Sequence, residues 1–227
     1  MKKENKHTFF ITVLLCISSV IFTLLTKLAD VQPIGPQKSE IGFAAVNGFI
    51  HNLFGVNMIW YHITDWLGLI PVFTTFVFFA VGVAQLIRRK SLFKVDKSII
   101  ILGIFYILVI AVYLFFESYI INYRPVLMNG RLEASYPSSH TLMTICLMSV
   151  CIDQCSRLIK SKTINTVVKI ISYAIIAVTI IGRLISGVHW FTDIIGGILI
   201  SLTLLSLYHS AIKVLLPKLN LTSKHST

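Results

Sequence analysis

Residues 98–121 read SIIILGIFYILVIAVYLFFESYII, and Glu117 is the only charged side chain among them. A helix that crosses a bilayer needs about 20 mostly apolar residues, so this stretch is a membrane span. The rest of the chain agrees with it. Of the 227 residues, 56% are hydrophobic and 13% charged, and the mean hydropathy is +0.83. A soluble domain carries about 25% charged residues. The composition therefore excludes a disordered segment, a nucleic-acid-binding tail and a small secreted module built on disulfides.

Five further stretches have the same character, and together they predict spans near Thr8–Leu28, Trp66–Ile87, Ser98–Ile121, Thr141–Leu158, Lys169–Ser186 and Ile194–Leu216. No internal repeat or linker divides them. The chain reads as a single membrane domain over 1–227, an all-α bundle of six transmembrane helices. The first span follows a basic start (Lys2, Lys3, Lys6) but exceeds the 7–15 apolar residues of a signal peptide, which predicts an uncleaved helix.

The formal net charge of +11 suggests a polyanion partner until the charges are located. They lie between the spans, and their asymmetry sets an orientation. With both termini in the cytoplasm, the inner segments hold every lysine and arginine except Lys27, Lys38, Arg124, Arg131 and Arg183. The expected setting is a bacterial plasma membrane, with the bilayer as partner and no nucleic acid. Cys16, Cys146, Cys151 and Cys155 all fall in apolar runs. They read as small buried side chains, because no histidine or further cysteine completes a metal-ligand set around Cys151 and Cys155.

The stretch from Ile41 to Gly55 is apolar and glycine-rich but too short to span. It predicts a short interfacial or re-entrant helical segment between the first and second spans. Trp60, Tyr61 and Trp66 then belong at headgroup level.

Ionisable groups at membrane depth are costly and point to function. Here they collect at the outer ends of three spans: Arg124-Pro125, then Pro137-Ser138-Ser139-His140, then Arg183, His189 and Asp193. Arg124 and Arg183 each offer a planar fork of donors that fits phosphate oxygens. Pro137 suits the first turn of a helix, and Ser138 and Ser139 add hydroxyls beside the free N–H groups of that turn, a ready anion site. His140 lies within reach of a bound ester. His189 and Asp193 are four residues apart and share a helix face. The carboxylate can then fix the imidazole tautomer, leaving the other ring nitrogen as nucleophile or base. Gly187 can break the fifth helix ahead of them. Each group alone has an ordinary explanation as a snorkelling arginine, an N-cap or a structural hydrogen bond. Their convergence on one membrane face favours a site.

These residues resemble the type 2 phosphatidic acid phosphatase superfamily, which also includes the vanadium haloperoxidases. Its signature is Lys-x6-Arg-Pro, Pro-Ser-x-His and Arg-x5-His-x3-Asp, the last usually preceded by serine. The resemblance implies that His189 attacks phosphorus to form a phosphohistidine and that Asp193 orients it. It implies that His140 protonates the leaving oxygen and then activates water. Arg124, Arg183, Ser138 and the amide of Ser139 would bind the phosphate oxygens. It implies no metal and no other cofactor.

Two positions depart from the signature. Glu117 occupies the lysine position and reverses its charge, and Gly182 stands where serine is usual. Losing a cation from the cradle costs on the order of 2–4 kcal/mol of transition-state stabilisation. Arg131 or Lys38 can replace it from the outer loops, or Glu117 can brace Arg124 as an ion pair. The expected activity is metal-independent hydrolysis of a lipid phosphate or diphosphate at the extracytoplasmic face. Phosphatidylglycerol phosphate, phosphatidic acid, diacylglycerol pyrophosphate and undecaprenyl diphosphate all qualify as substrates. A phosphotransferase and a non-catalytic binding or transport relative carry the same residues, and Glu117 is the position that bears on the latter.

Overall fold

The computed structural model describes residues 3–216, with side chains from His7 onward. Lys2 of the basic start and Lys218 and Lys224 of the C-terminal tail lie outside the described residues. The chain is all helical: α1 (Lys3–Leu28), α2 (Ala44–Phe54), α3 (Met58–Leu67), α4 (Leu69–Arg89), α5 (Lys97–Ser118), α6 (Ser139–Leu158), α7 (Lys162–Ser186) and α8 (Phe191–Leu215), with 3-10 turns at Pro36–Lys38 and Leu92–Lys94. The six expected spans correspond to α1, α4, α5, α6, α7 and α8. The chain is an integral membrane protein.

Their outer faces are apolar where lipid would lie. Phe9, Phe73, Phe79, Ile107 and Ile170 are all more than three-fifths exposed, which is favourable only in a hydrocarbon surround. The second span is longer than expected. Helices α3 and α4 run on through Gly68, giving an apolar helical stretch from Met58 to Arg89. Of the three aromatic residues expected at headgroup level, Trp66 is 73% exposed. Trp60 and Tyr61 instead pack against α7, at Gly182 and Arg183.

Helix α6 is the exception among the six. It is long enough to span, but it is not apolar enough to face lipid and is not one of the five helices that qualify on composition among the described residues. Packing explains this: α4, α5, α7 and α8 surround it, so its polar groups meet protein. Gln154 is fully buried and donates to the Ser98 carbonyl and the Tyr208 hydroxyl, and Tyr208 donates to Asp153. A core helix of a bundle can be polar where its partners are other helices.

Antiparallel packing of α1 on α8 is sealed by hydroxyl pairs, Thr12 with Ser206 at 2.7 Å and Ser19 with Thr203 at 2.8 Å. Lys213 donates to Thr8, which joins the N-terminal end of α1 to the C-terminal end of α8. The opposite end of the bundle gathers the starts of α3, α6 and α8 and the ends of α1, α5 and α7. Helix α2 lies there too, within the segment expected to be interfacial. Asn47 ties it down by donating to the Gly42 carbonyl and the Thr192 hydroxyl, while Phe49 and Leu53 stay exposed.

Candidate active site

A cavity of about 360 Å³ opens at this end, lined by Glu117, Arg124, Glu133, Ser135, Ser139, His140 and His189 together with Tyr113, Phe116, Tyr136 and neighbouring residues. Three segments bring the groups together. The chain between α5 and α6 folds back on itself, with Tyr123 bridged to Ala134 and Met128 to Arg131. Trp190 pins this hairpin by donating its indole N–H to the Tyr123 carbonyl at 2.7 Å.

His189 sits in the turn between α7 and α8, after Gly187 closes α7 in the left-handed conformation (φ 64°). That break matches the expectation for Gly187. The histidine is not on a helix, however, and its bond to Asp193 differs from the one expected. Nδ1 of His189 is 3.8 Å from Oδ2 of Asp193, too far for a hydrogen bond. Ser135 stands between them. Its hydroxyl donates to Asp193 Oδ2 and lies 3.2 Å from His189 Nδ1, and its carbonyl lies 3.1 Å from the same nitrogen. A carbonyl can only accept, so Nδ1 carries the proton and Nε2 the lone pair. Nε2 is buried and has no partner, and His189 lines the cavity. Burial holds the His189 pKa well below its ordinary 6.5, and Arg124 and Arg183 push it further the same way. Asp193 also accepts from the Trp190 N–H at 2.8 Å, which anchors the start of α8.

Pro137 precedes α6 instead of occupying its first turn: Ser138 is the N-cap and Ser139 the first helical residue. Ser139 and His140 face the cavity. The Ser138 hydroxyl is fully buried and accepts from Thr141 at 3.0 Å, while its N–H donates to the Asp193 carbonyl. Ser138 thus lies behind the wall, linking the starts of α6 and α8.

Arg124 lines the cavity; its Nε forms a 3.4 Å ion pair with Glu133 and its Nη1 has no hydrogen-bond partner. Glu117 also lines the cavity but forms no ion pair with Arg124, so the bracing expected of it falls to Glu133. Arg131 sits in the turn of the hairpin and Lys38 in the 3-10 turn Pro36–Lys38. Both are exposed and neither reaches the cavity. Arg183 is fully buried, with Nε and Nη1 unpaired. Its Nη2 donates to Asp65 of α3 at 3.2 Å, and its guanidinium lies 5.0 Å above the Tyr61 ring. The same Asp65 oxygen is 3.0 Å from Nε2 of His140.

Sequence reasoning missed Ser135, Glu133 and Asp65. An aspartate one turn beyond Tyr61 in an apolar stretch was the available signal, since a carboxylate at membrane depth needs a partner.

The PAP2 superfamily model matches residues 70–215, and the chain belongs to that superfamily. Its fold is that of a membrane phosphatase of this class. Among solved structures it is similar to the "first transmembrane PAP2 type phosphatidylglycerolphosphate phosphatase from Bacillus subtilis", with a TM-score of 0.61 and 18% identity over 92% of this chain and 98% of that one. No curated protein sequence matches it.

Proposed function

We propose that the chain hydrolyses a lipid phosphate monoester or diphosphate through a phosphohistidine on His189. One observation carries this reading. Buried nitrogens of Arg124, Arg183, His140 and His189 lack any partner; Arg124, His140 and His189 line the cavity, and Arg183, off the wall itself, is joined to His140 through Asp65. Unpaired buried donors are expensive, and an anion with several oxygens would satisfy them together.

The chemistry follows from the free atoms. The Nε2 lone pair of His189 attacks phosphorus as the phosphorus–oxygen bond to the leaving group breaks, and His140, entering the step as an imidazolium, gives that oxygen its Nδ1 proton. Water then attacks the phosphohistidine and loses a proton to His140. The phosphorus–nitrogen bond breaks, releasing phosphate and neutral His189. Arg124 and Arg183 hold the oxygens on which charge builds, where fixed donors act most strongly. The N-terminal turn of α6 adds Ser139 and its amide.

Two features support a lipid substrate on the extracytoplasmic side. The site is at the end of the bundle where helix ends meet the interface. The end where α1 begins and α8 finishes also carries the basic loops Arg88–Lys97 and Arg157–Lys169, the side that the positive-inside rule assigns to the cytoplasm. The relative from Bacillus subtilis makes phosphatidylglycerol phosphate the first lipid to try.

The test is phosphate release by purified protein from phosphatidylglycerol phosphate, phosphatidic acid, diacylglycerol pyrophosphate and undecaprenyl diphosphate, with His189→Ala alongside. Metal-independent turnover that vanadate inhibits is expected. Wild type no faster than His189→Ala on every lipid defeats the proposal.

A further inference from the structure

Among the described residues, Asp65 is the one carboxylate within 4 Å of both a histidine and an arginine of the site, and it comes from a segment the family signature does not include. A single oxygen, Oδ1, is 3.0 Å from Nε2 of His140 and 3.2 Å from Nη2 of Arg183. Two roles are open to a carboxylate so placed. It could occupy the phosphate position and block it, or it could hold the two side chains from behind.

The remaining atoms decide between them. Arg183 gives Asp65 only Nη2, while Nε and Nη1 stay unpaired; His140 gives only Nε2, while Nδ1 stays unpaired. His189 Nε2 is likewise unpaired. A blocking carboxylate would have taken these atoms. Of the three residues only His140 lines the cavity; Asp65 and Arg183 both lie off its wall.

We propose that Asp65 is a positioning residue: it grips the outer nitrogens of His140 and Arg183, so that His140 Nδ1 faces the leaving oxygen and Arg183 Nε and Nη1 face the phosphate.

The packing of α3 is built for this contact. Tyr61 and Asp65 are one turn apart, so Arg183 is held on its face by the ring and at its edge by the carboxylate. Three glycines let α3 come this close. A Cβ on Gly182 would overlap the Thr64 methyl and lie 3.0 Å from the Trp60 ring. A Cβ on Gly68 would lie 3.0 Å from Cδ2 of His140. A Cβ on Gly187 would overlap the Gly55 carbonyl. The Asn57 N–H completes the anchor by donating to the Ser186 carbonyl at 3.0 Å, and the Asn57 side chain caps α3. The serine missing before Arg183 thus has a structural reason: its position is taken by α3.

The inference rests on the proposed phosphatase reading, and its test separates the two. Asp65→Asn and Asp65→Ala are compared with wild type on the best lipid phosphate. Asp65→Ala should lower kcat by roughly 10- to 100-fold with KM within about threefold, because an effect on the proton-transfer step appears in kcat. Asp65→Asn, which keeps an acceptor oxygen in the same shape, should fall between. In 15N-histidine spectra of the detergent-solubilised protein, the neutral His140 ring should show Nε2 as its protonated nitrogen in wild type, leaving Nδ1 to take up and pass on the transferred proton, and should lose that preference in Asp65→Ala. Unchanged kcat with unchanged His140 signals overturns the proposal. So does a faster Asp65→Ala enzyme with lower KM, the signature of a blocking group. If wild type is inactive on every lipid, the phosphatase reading fails while the spectra still decide the role of Asp65. If Asp65→Ala does not fold, the isosteric Asp65→Asn decides both measurements.

Discussion

Asp193 and His189 are separated by 3.8 Å, and the Ser135 hydroxyl, bonded to the carboxylate and 3.2 Å from the ring nitrogen, fills the gap between them. The carboxylate therefore orients the imidazole at second hand, from a residue contributed by the hairpin before α6. The Ser135 carbonyl gives the ring a second acceptor that survives any change of side chain.

That redundancy grades the two substitutions. Ser135→Ala leaves the backbone carbonyl in place and should reduce kcat about tenfold. Asp193→Ala removes the charge that stabilises the imidazolium-like transition state and should cost about 10³-fold or more by comparison with other catalytic triads. It also strips the Trp190 N–H of its acceptor, so it should lower stability by about 1 kcal/mol. Steady-state kinetics and thermal melts of both variants check the order. Equal losses would mean that the Ser135 hydroxyl carries all of the coupling and its carbonyl gives no backup, and no loss in Ser135→Ala would mean that the hydroxyl does not relay.

Glu117 lines the cavity at the position where the superfamily signature has lysine, and Glu133, not Glu117, is the carboxylate beside Arg124. Glu117→Lys should therefore raise kcat/KM, by about tenfold or more if the new ammonium meets a phosphate oxygen. A decrease would mean that Glu117 supports Arg124 through longer-range attraction.

The pH dependence follows from His189. Its pKa is held below 6.5 mainly by burial and then by Arg124 and Arg183. The reactive form is the neutral ring, so the acid limb of kcat/KM should lie below pH 6.5. Arg124→Gln removes one of the repelling charges and should move that limb toward higher pH on the same substrate, besides lowering the rate. The stability consequence has a fixed sign. Below pH 6.5 the unfolded histidine takes up a proton that the folded one refuses, so the stability present above pH 6.5 is lost as the pH falls. Profiles of rate and of melting temperature against pH test both statements.

Gly182→Ser restores the usual residue before Arg183 but drives a side chain into Thr64 and toward Trp60. Overpacking of this kind costs roughly 1–3 kcal/mol, and displacement of α3 should lower activity as well. Thr64→Ala removes the methyl that the new Cβ would meet. The double variant should regain part of both losses, since residues in contact couple. Additive losses would show that the crowding is relieved elsewhere.

How much of this was readable along the chain depends on whether the cause is local. Hydropathy is summed over neighbouring residues, so the six spans, the short segment between the first two, and the grouping of Arg124, His140, Arg183, His189 and Asp193 at one end of the bundle were all legible. So was the Gly187 break, because a glycine at a helix end acts on its own backbone. The polarity of α6 shows where that reasoning stops. A helix with Asp153, Gln154 and Arg157 is a span here only because other helices enclose it.

Partnership between groups belongs to the tertiary structure. Asp65 meets a residue 118 positions away and Ser135 one that is 54 away, and no pattern of spacing links them. Those contacts depend on how closely two helices can approach, and at α3 and α7 the missing Cβ atoms of Gly182 and Gly187 set that distance. The sequence by itself determined which chemical groups sit at one end of the bundle. Only close packing of the helices decided which carboxylate holds which base, since hydrogen bonds form or fail over a few tenths of an ångström.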